Sequence, residues 1–504
     1  MKKLMIATSL LLLVAATAVA GVGDDRLFVQ PNATFAAGAP ATTDPYSSCD
    51  IGAAVPAATL LLPYFEVEVN ETRNTARTTL FTLVNTTAFP QIAHIVVWTD
   101  WSYPVLDFNI FLTGYDVQGI NLYDIIVSGP AGVPAIPQTT FTESTSAIGA
   151  RSATTNPDWV AGVSTACANL PGNIPADIAT AVRSALTTGI YAFPPGSPVT
   201  TACGSTPVGG NHPDVARGYV TIDVARTCSQ SLGIDFNYYL NEIAFDNALT
   251  GDWIITNPDP TAQFAGGNPL VHIPAIPGGT IGAADAAGVP TNLPFTFYDR
   301  YVEQDAPGID RRVPLPGLFA ARFIDDPGSG FDTDLIIWRE GTRDASACAE
   351  VVDNSRIALT ETVRFDEAEN PTVRAAAAVP ISPVIGADQP FLNEASSTDV
   401  EDLTIFPPFF STAAASRNGW MYLNLNNGGS AEFGDERDDV LPDTHPGRSQ
   451  NWVSVRMEAV NPGQFSVLFD ATHIGNGCSA DPGVTTTTRP STLGATPASP
   501  AGID

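Results

Sequence analysis

The sequence predicts an all-β fold with two or more antiparallel β-sandwich modules and a loop-rich, partly helical insertion. Short runs that alternate apolar and polar residues recur at a spacing of about 8–12 residues, which is typical of antiparallel sandwiches. Asn, Pro and Gly separate these runs, as turns require. The 504 residues include 42 Gly and 42 Pro, yet 44% of the chain is hydrophobic. This composition indicates a folded, turn-rich protein.

The first predicted sandwich covers residues 59–127. Its opening run, at 64–69, alternates with the period of a half-buried strand. Further strands are predicted at 78–87, 92–98, 105–112 and 119–127.

The next section, 128–216, is a Pro-, Gly- and Thr-rich insertion that contains one predicted helix. Asn173 is suited to cap this helix, Pro175 fits its first turn and Gly189 is suited to end it.

A second β-rich region is expected over 217–484, as one or two further sandwiches. An extended segment (21–58) precedes the first sandwich, and a low-complexity tail (485–504) is expected to be flexible. The chain also resembles itself, because residues 80–100 and 318–340 both begin with Leu-Phe and end with aliphatic residues, Trp and an acid. A third variant covers 419–460. Repeated modules and chance similarity of β-rich segments both explain this pattern.

The first 20 residues predict export. Lys2 and Lys3 precede an apolar run without charge, and Ala18-Val19-Ala20 offers the small residues that a signal peptidase reads. Cleavage before Gly21 is therefore expected, and the protein would work in the periplasm, on the outer surface or outside the cell.

Charge excludes several partners and chemistries. Removal of residues 1–20 takes away both lysines of the chain and leaves 21 Arg against 53 acidic residues, a formal charge of −32. Nucleic acid and anionic membrane surfaces are therefore not expected as partners. A lysine-free chain also has no Schiff-base lysine and no phosphate-binding loop that ends in Lys.

Six cysteines remain after cleavage, an even number that predicts disulfides in an exported protein. They are Cys49, Cys167, Cys203, Cys228, Cys348 and Cys478. Cys167 and Cys203 lie within one irregular section, so we expect them to pair, whereas the pairing of the other four stays open.

The first candidate ligand site is an aromatic cluster around one carboxylate, formed by Trp98, Asp100, Trp101 and Tyr103. Exposed Trp faces stack on sugar rings, and a carboxylate can accept hydrogen bonds from sugar hydroxyls. The alternative is that Trp98 anchors the core of the sandwich and that Trp101 covers the rim of this core. We expect this structural role for Trp98.

The second candidate is an acidic loop with Asp435, Asp438 and Asp439, whose oxygens are the ligands that Ca²⁺ prefers. Its spacing does not match an EF-hand, so we expect a solvated loop and no bound cofactor. The sequence also lacks HExxH and GxSxG motifs, so neither a zinc hydrolase nor a hydrolase nucleophile elbow is predicted.

The stretch from LLPYFEVEV to GINLYDII, roughly residues 59–126, resembles a group of uncharacterised exported bacterial proteins. This resemblance implies an envelope or extracellular protein and no activity. The run TTLFTLVN (78–85), followed by aliphatic residues and Trp98, is similar to generic Ig-like sandwich domains, which implies an Ig-like fold and no function.

Together these observations predict a non-enzymatic structural or adhesive protein of the cell envelope or extracellular space. The alternative is a carbohydrate-binding or carbohydrate-active protein that uses the segment from Trp98 to Tyr103. A cell-surface component or a polysaccharide is the expected kind of partner, and self-association is left open.

Overall fold

The computed structural model describes residues 56–128, 176–191, 211–225, 238, 242–244, 246–258, 264–273, 315, 318–324, 330–339, 361–369, 371–373, 395–399, 418–425, 451–459 and 465–473. These segments form four β-sheets in which neighbouring strands are antiparallel. The all-β class predicted from the sequence is confirmed.

The first nine strands form two sheets, which we call the N unit. Its strands are β1 (Thr59–Glu68), β2 (Thr78–Asn85), β3 (Gln91–Thr99), β4 (Pro104–Leu112), β5 (Val117–Asn121), β6 (Val215–Ala225), β7 (Leu249–Asn257), β8 (Phe264–Pro269) and β9 (Val271–Ile273). The N-large sheet has the order β4-β3-β6-β1-β9, and the N-small sheet has the order β5-β2-β7-β8.

The last nine strands form the other two sheets, which we call the C unit. Its strands are β10 (Leu318–Ile324), β11 (Phe331–Arg339), β12 (Glu361–Asp366), β13 (Pro371–Val373), β14 (Ala395–Asp399), β15 (Asn418–Asn424), β16 (Asn451–Ala459), β17 (Phe465–Asp470) and β18 (Thr472–His473). The C-large sheet has the order β13-β12-β15-β10-β18, and the C-small sheet has the order β14-β11-β16-β17.

The two units have the same topology. Adding nine to each strand number of the N-large and N-small sheets gives the strand orders of the C-large and C-small sheets. The register also agrees, because Thr59 lies opposite Asp223 in the N unit and Leu318 lies opposite Asn424 in the C unit. One extra residue at an irregularity between Leu62 and Phe65 of β1 is the main departure. The described strands therefore form an internal repeat.

A threonine makes the same pair of hydrogen bonds in each unit. The Thr79 hydroxyl accepts a hydrogen bond from the backbone N–H of Glu66 and donates one to the Glu66 carbonyl, both at 3.1 Å. Thr333 does the same for Ile324, at 3.0 and 2.7 Å. Each threonine is fully buried and ties its own strand to the end of the first strand in the facing sheet. We call this contact the threonine clasp.

The turn after the third strand also recurs. Ser102 in the N unit and Glu369 in the C unit both have a positive φ, 60° and 61°, two residues before a proline that begins the next strand. The backbone N–H of each donates a hydrogen bond to the carbonyl three residues earlier, at 3.1 and 3.0 Å. Since few non-glycine residues adopt this conformation, its recurrence at equivalent positions supports the repeat independently of strand order.

The sequence similarity between 80–100 and 318–340 pairs strands that are not equivalent. It aligns β2 with β10 and β3 with β11, whereas the sheet orders make β2 equivalent to β11 and β3 equivalent to β12. Strand β6 also lies between β1 and β3, so the boundary expected at 216/217 falls inside the N unit. The described strands form a repeat, but the sequence similarity aligns strands that are one position apart in it.

The strand predicted over 119–127 ends earlier than expected. Strand β5 stops at Asn121, and residues Asp124–Ser128 form a π-helical turn. The Asn121 side chain accepts a hydrogen bond from the backbone N–H of Tyr123 at 2.9 Å, a local contact that competes with strand extension.

The helix predicted in the insertion is observed as α1 (Ala176–Thr188). It ends at Gly189, whose φ of 70° is the left-handed conformation that favours glycine after a helix. Val182 and Leu186 are buried on its inner face.

Strands of the N-large sheet are buried on both faces, whereas the N-small sheet has one buried face. Every residue of β3 is buried, but β2 alternates between buried residues such as Phe81 and Leu83 and partly exposed ones such as Thr82. The C-small sheet covers part of the N-large sheet, since β1 contacts β11 and β14. Trp338 of β11 packs edge-on against Tyr219 of β6, with ring centroids 5.8 Å apart.

Candidate functional site

The predicted aromatic cluster lies at the turn between β3 and β4. Trp98, the last large residue before the turn, has no exposed surface. Its indole N–H donates a hydrogen bond to the Thr221 hydroxyl at 2.8 Å. Its ring lies nearly parallel to that of Tyr219, with an interplanar angle of 3° and centroids 5.7 Å apart. The structure therefore places Trp98 within the core.

Asp100 is also buried, with 1% of its surface exposed, and its carboxylate contacts a histidine from a distant segment. His212 Nε2 lies 3.0 Å from Asp100 Oδ2, and His212 Nδ1 lies 2.5 Å from the carbonyl oxygen of Val215. A general base needs a ring nitrogen directed at its substrate. Both nitrogens of His212 face protein acceptors, so this pair fastens the turn to the start of β6.

Trp101 and Tyr103 are partly exposed, unlike their neighbours. The hydroxyl oxygen of Thr99 accepts hydrogen bonds from the backbone N–H groups of both residues, at 3.3 and 3.1 Å. The Tyr103 ring packs at an angle against Tyr191, with centroids 5.9 Å apart. Of the four predicted ligand-binding residues, these two are accessible, and hydrogen bonds within the turn hold their backbone.

A cluster of charged side chains joins the two units, and sequence reasoning missed it. Arg456 of β16 contacts Glu66 of β1 at 3.0 Å, and it also contacts Asp334 of β11. Arg77 contacts the same carboxylate oxygen of Glu66 at 3.2 Å, and the Tyr64 hydroxyl donates to its other oxygen. We call Glu66, Asp334 and Arg456 the junction triad.

Opposite charges outweigh burial in setting the pKa values of Glu66 and Arg456. Burial alone would raise the pKa of Glu66, but Arg456 and Arg77 outweigh it and hold that pKa below its usual range. Burial would also lower the pKa of Arg456, and Glu66 and Asp334 reverse this effect. Both groups therefore stay charged. The alternation at 64–69 places Glu66 on the polar side of a strand, but nothing in the sequence connects it with an arginine 390 residues away.

A second buried polar cluster lies within the N-large sheet. Asp223 accepts hydrogen bonds from the hydroxyls of Thr59 and Tyr238, each at 2.6 Å. His94 Nδ1 lies 3.0 Å from the side-chain oxygen of Asn109. These residues are buried and hydrogen-bonded to one another, an arrangement that satisfies core polar groups.

The two remaining described histidines occupy equivalent positions. His272 lies opposite Leu60 in β1, and His473 lies opposite Phe319 in β10. Burial lowers the pKa of His272 to about 4 and also lowers that of His473. The backbone N–H of Gly251 donates a hydrogen bond to His272 Nε2 at 3.1 Å, which requires an unprotonated nitrogen.

Several predicted residues lie outside the part of the chain that the structure describes: the acidic loop (Asp435, Asp438 and Asp439), the segment 1–21 and all six cysteines. Within the described part, no group of three or more His, Cys, Asp and Glu side chains is placed to hold a metal ion. No helix among the described residues is long and apolar enough to cross a membrane.

Comparisons of the chain with protein-family models, curated proteins and solved structures gave no match.

Proposed function

We propose that this chain is an exported, non-enzymatic structural or adhesive protein of the cell envelope or extracellular space. The main support for this proposal is the position of the segment around Trp98 and Asp100, whose side chains are the most suited to binding or catalysis. Trp98 and Asp100 are buried, and both nitrogens of the histidine that contacts Asp100 face protein acceptors. The side chains most suited to chemistry thus hold the fold together.

The junction between the units supports the same role. A load-bearing or surface-displayed protein benefits from modules that do not move independently. Within the junction triad, Glu66 and Arg456 are buried and Asp334 is partly buried, so removal of Arg456 would leave an uncompensated charge away from water. The backbone N–H of Ala395 in the C unit also donates to the carbonyl of Asp100 in the N unit, at 3.2 Å.

We infer that each unit is a β-sandwich module of Ig-like character. In support, the inner faces of β1, β2 and β7 contribute Leu60, Phe81 and Trp253 to one hydrophobic core. The predicted signal peptide and disulfides extend the proposal to an exported protein with covalent cross-links.

A carbohydrate-binding function is the second candidate, and the partial exposure of Trp101 and Tyr103 favours it. Variants of the two tryptophans separate the candidates. Trp98→Ala should reduce the free energy of unfolding by about 3–5 kcal/mol, because it leaves a large cavity. Trp101→Ala should change stability much less. Denaturant unfolding of both variants measures these effects.

Retention of the same variants on immobilised polysaccharides tests the function itself. The structural role predicts no retention of the wild-type chain and no hydrolysis in a glycan screen. Retention that disappears in Trp101→Ala, with unfolding unchanged, would favour the carbohydrate-binding function.

The exported state has its own test. N-terminal sequencing and non-reducing mass measurement of the secreted protein should give a chain that begins at Gly21 and contains no free thiol. A chain that begins at Met1 would remove the basis for the proposed location.

A further inference from the structure

The contact between the two units is directional. Strands β1 and β6 of the N-large sheet contact β11 and β14 of the C-small sheet. Among the described strands, no comparable contact joins the C-large sheet to the N-small sheet. A two-fold contact would use both combinations, so this contact is heterologous. Among the described strands, it leaves the equivalent surfaces on the C-large and N-small sheets without a partner, and we call these two the unused surfaces.

The unused surfaces differ from the used ones at the junction triad. The threonine clasp makes Ile324 the equivalent of Glu66 and Leu80 the equivalent of Asp334. Cross-strand pairing makes Ile254 the equivalent of Arg456, because Leu80 lies opposite Ile254 and Asp334 lies opposite Arg456. All three charged positions are thus aliphatic on the unused surfaces.

All three charged residues of the junction triad are replaced together. A single aliphatic residue facing a charged partner would leave a buried charge unpaired, whereas three aliphatic residues can pack together. Replacement of a buried ion triad by apolar residues of similar volume is often neutral or stabilising. The unused surfaces therefore remain complementary to each other.

The unused surfaces are accessible. Ile254 is 36% exposed, and Val117 on the edge strand β5 of the same sheet is 59% exposed. Leu80 and Val84 are partly exposed beside them. On the C-large sheet, Ile324 and Trp420 are also partly exposed. Thr82 and Asp252 share the face of Leu80 and Ile254, and Arg322 lies opposite Trp420, so each unused surface is an apolar patch beside a charged residue. An exposed apolar patch with a polar rim is typical of an interaction surface.

The aromatic contact has an equivalent as well. At the internal junction, the Tyr219 ring packs against Trp338. Tyr219 is equivalent to Trp420 on the C-large sheet, because β6 pairs with β3 as β15 pairs with β12. Trp338 is equivalent to Val84 on the N-small sheet, because both lie at the same distance along their strands from the threonine of the clasp. Trp420 stacks on Phe365 with centroids 4.0 Å apart, which leaves its other face directed away from that ring.

A size exchange occurs where the edge strands β8 and β17 meet. A Cβ atom on Gly266 would lie 2.8 Å from Leu468 Cβ, so this glycine makes room for that leucine. The register of β7–β8 and β16–β17 makes Val467 equivalent to Gly266 and Gly267 equivalent to Leu468. Between the unused surfaces, the larger residue is therefore Val467, at the position equivalent to Gly266. The glycine is Gly267, at the position equivalent to Leu468.

We propose that the chain associates head to tail with further copies of itself through these surfaces. The C-large sheet of one copy, around Ile324 and Trp420, takes the N-small sheet of the next copy, around Leu80 and Ile254. The geometry repeats the internal junction and produces a ring if the rotation closes or a filament if it does not. This inference deepens the proposed structural role, and it rests on that role for its biological meaning.

Sedimentation velocity over a range of concentrations tests the proposal with the chain from Gly21 onward. The wild-type chain should form dimers and larger species as concentration rises. Ile254→Glu and Ile324→Glu should each weaken association by about tenfold or more, because each places an unpaired charge in an apolar contact. Ile190→Glu is the matched control, since Ile190 is 51% exposed after the end of α1 and should not affect association.

Mixing the two variants tests the direction of the contact. Ile254→Glu retains an intact C-large surface and Ile324→Glu retains an intact N-small surface. A mixture should therefore form heterodimers, whereas each variant alone stays monomeric. A mixture that stays monomeric would overturn the head-to-tail arrangement, as would a wild-type chain that is monomeric at every concentration.

A charge exchange provides a second readout. The double variant Ile254→Arg with Ile324→Glu recreates the pair formed by Arg456 and Glu66. Its association should recover relative to either single variant and weaken with added salt. Absence of recovery would contradict the assigned equivalence of these positions.

The outcomes separate this inference from the proposed function. A monomeric chain that is not retained on glycans would refute self-association alone. A chain that associates as predicted and also binds or cleaves a glycan would refute the non-enzymatic structural role alone.

Discussion

The N unit and the C unit share their strand order and register but few side chains. The residues that recur bind the backbone, adopt a special backbone conformation or allow two strands to approach closely. They are the threonine of the clasp, the positive-φ residue two positions before a proline, and a glycine followed by an aromatic residue at 218–219 and 419–420. Core positions differ freely, since Leu62 of β1 is equivalent to Ala321 of β10. Cores tolerate exchange of apolar residues at single positions if the total volume of the core is kept, whereas a backbone contact has few substitutes.

The units differ most where one of them is covered. The junction triad occupies the covered surfaces, and at the equivalent positions Ile254 is exposed while Leu80 and Ile324 are partly exposed. Charged residues usually lie outside and apolar residues inside, so this distribution is unusual. It is the arrangement expected if the head-to-tail contact proposed above covers the aliphatic positions.

The largest effect is expected at the two equivalent glycines. A Cβ atom on Gly218 would collide with the carbonyl oxygen of Trp98, and one on Gly419 would collide with that of Phe365. Gly218→Ala and Gly419→Ala should each cost about 3 kcal/mol or more, because a backbone atom of the neighbouring strand must move. Thermal unfolding measures the loss.

Gly119→Ala is the control, because its Cβ would meet nothing within 4 Å. Equal losses at Gly218 and Gly419 would support the equivalence of the units. A loss at one position only would show that the shared topology does not imply a shared constraint.

The junction triad is expected to give the next largest effect. Arg456→Met should cost about 3–5 kcal/mol, because it leaves Glu66 buried without its main partner. Replacing all three members by their equivalents, as Glu66→Ile, Asp334→Leu and Arg456→Ile, should cost less than Arg456→Met, because no charge of the triad is left unpaired and the main loss is the acceptor of the buried Tyr64 hydroxyl. Denaturant unfolding of the single and triple variants makes this comparison.

A triple variant as unstable as Arg456→Met would show that the aliphatic set does not pack in this geometry. That outcome would weaken both the comparison of the units and the proposed head-to-tail contact.

Sequence patterns predicted the fold class and the first four strands, because short apolar runs between turn residues are typical of strands. The alternation at 64–69 predicted a half-buried strand, but β1 is buried on both faces, because the C-small sheet covers part of the N-large sheet. The same reasoning misaligned the repeat, since Leu-Phe pairs and Trp occur in many β-strands, and the residues that recur structurally are few and scattered. The clasp is one example, as Thr79 and Thr333 lie in runs with little else in common.

The candidate site was predictable only in part. Trp98 continues an apolar run, which indicated its place in the core. The contact of Asp100 with His212 spans 112 residues, and that of Glu66 with Arg456 spans 390. No local pattern encodes such pairs, because they depend on how sheets and units pack.

The equivalent histidines predict a smaller, pH-dependent difference. Burial lowers the pKa of His272 from 6.5 to about 4, so the folded state disfavours its protonated form. The stability it contributes is present above about pH 6.5 and is lost as pH falls towards 4, by about 2–3 kcal/mol. His272→Gln keeps a side-chain acceptor for Gly251 and should remove this acid sensitivity.

Unfolding free energies of the wild type and His272→Gln between pH 4 and 7 test this expectation. Burial raises the pKa of Asp470 to about 6, so its contribution to stability changes with pH in the opposite direction. Because Asp470 is present in both proteins, this contribution cancels when the two are compared. His473→Gln should give a smaller difference, because His473 is partly exposed. A pH profile unchanged by His272→Gln would refute the assigned pKa.

The threonine clasps should give the smallest effect and the most direct comparison. Thr79→Val and Thr333→Val keep the side-chain shape but remove the hydroxyl that pairs with a backbone N–H and carbonyl. Each should cost about 1–2 kcal/mol, because buried backbone groups lose a partner. Both threonines are fully buried, and each pairs with the backbone N–H and carbonyl of one residue in the facing sheet. The two losses should therefore agree within experimental error, and they should add in the double variant. Thr82→Val, on the partly exposed face of β2, is the control and should be nearly neutral. A loss confined to Thr79→Val would mean that the clasp supports the junction next to Glu66 and is not a requirement of the repeated fold.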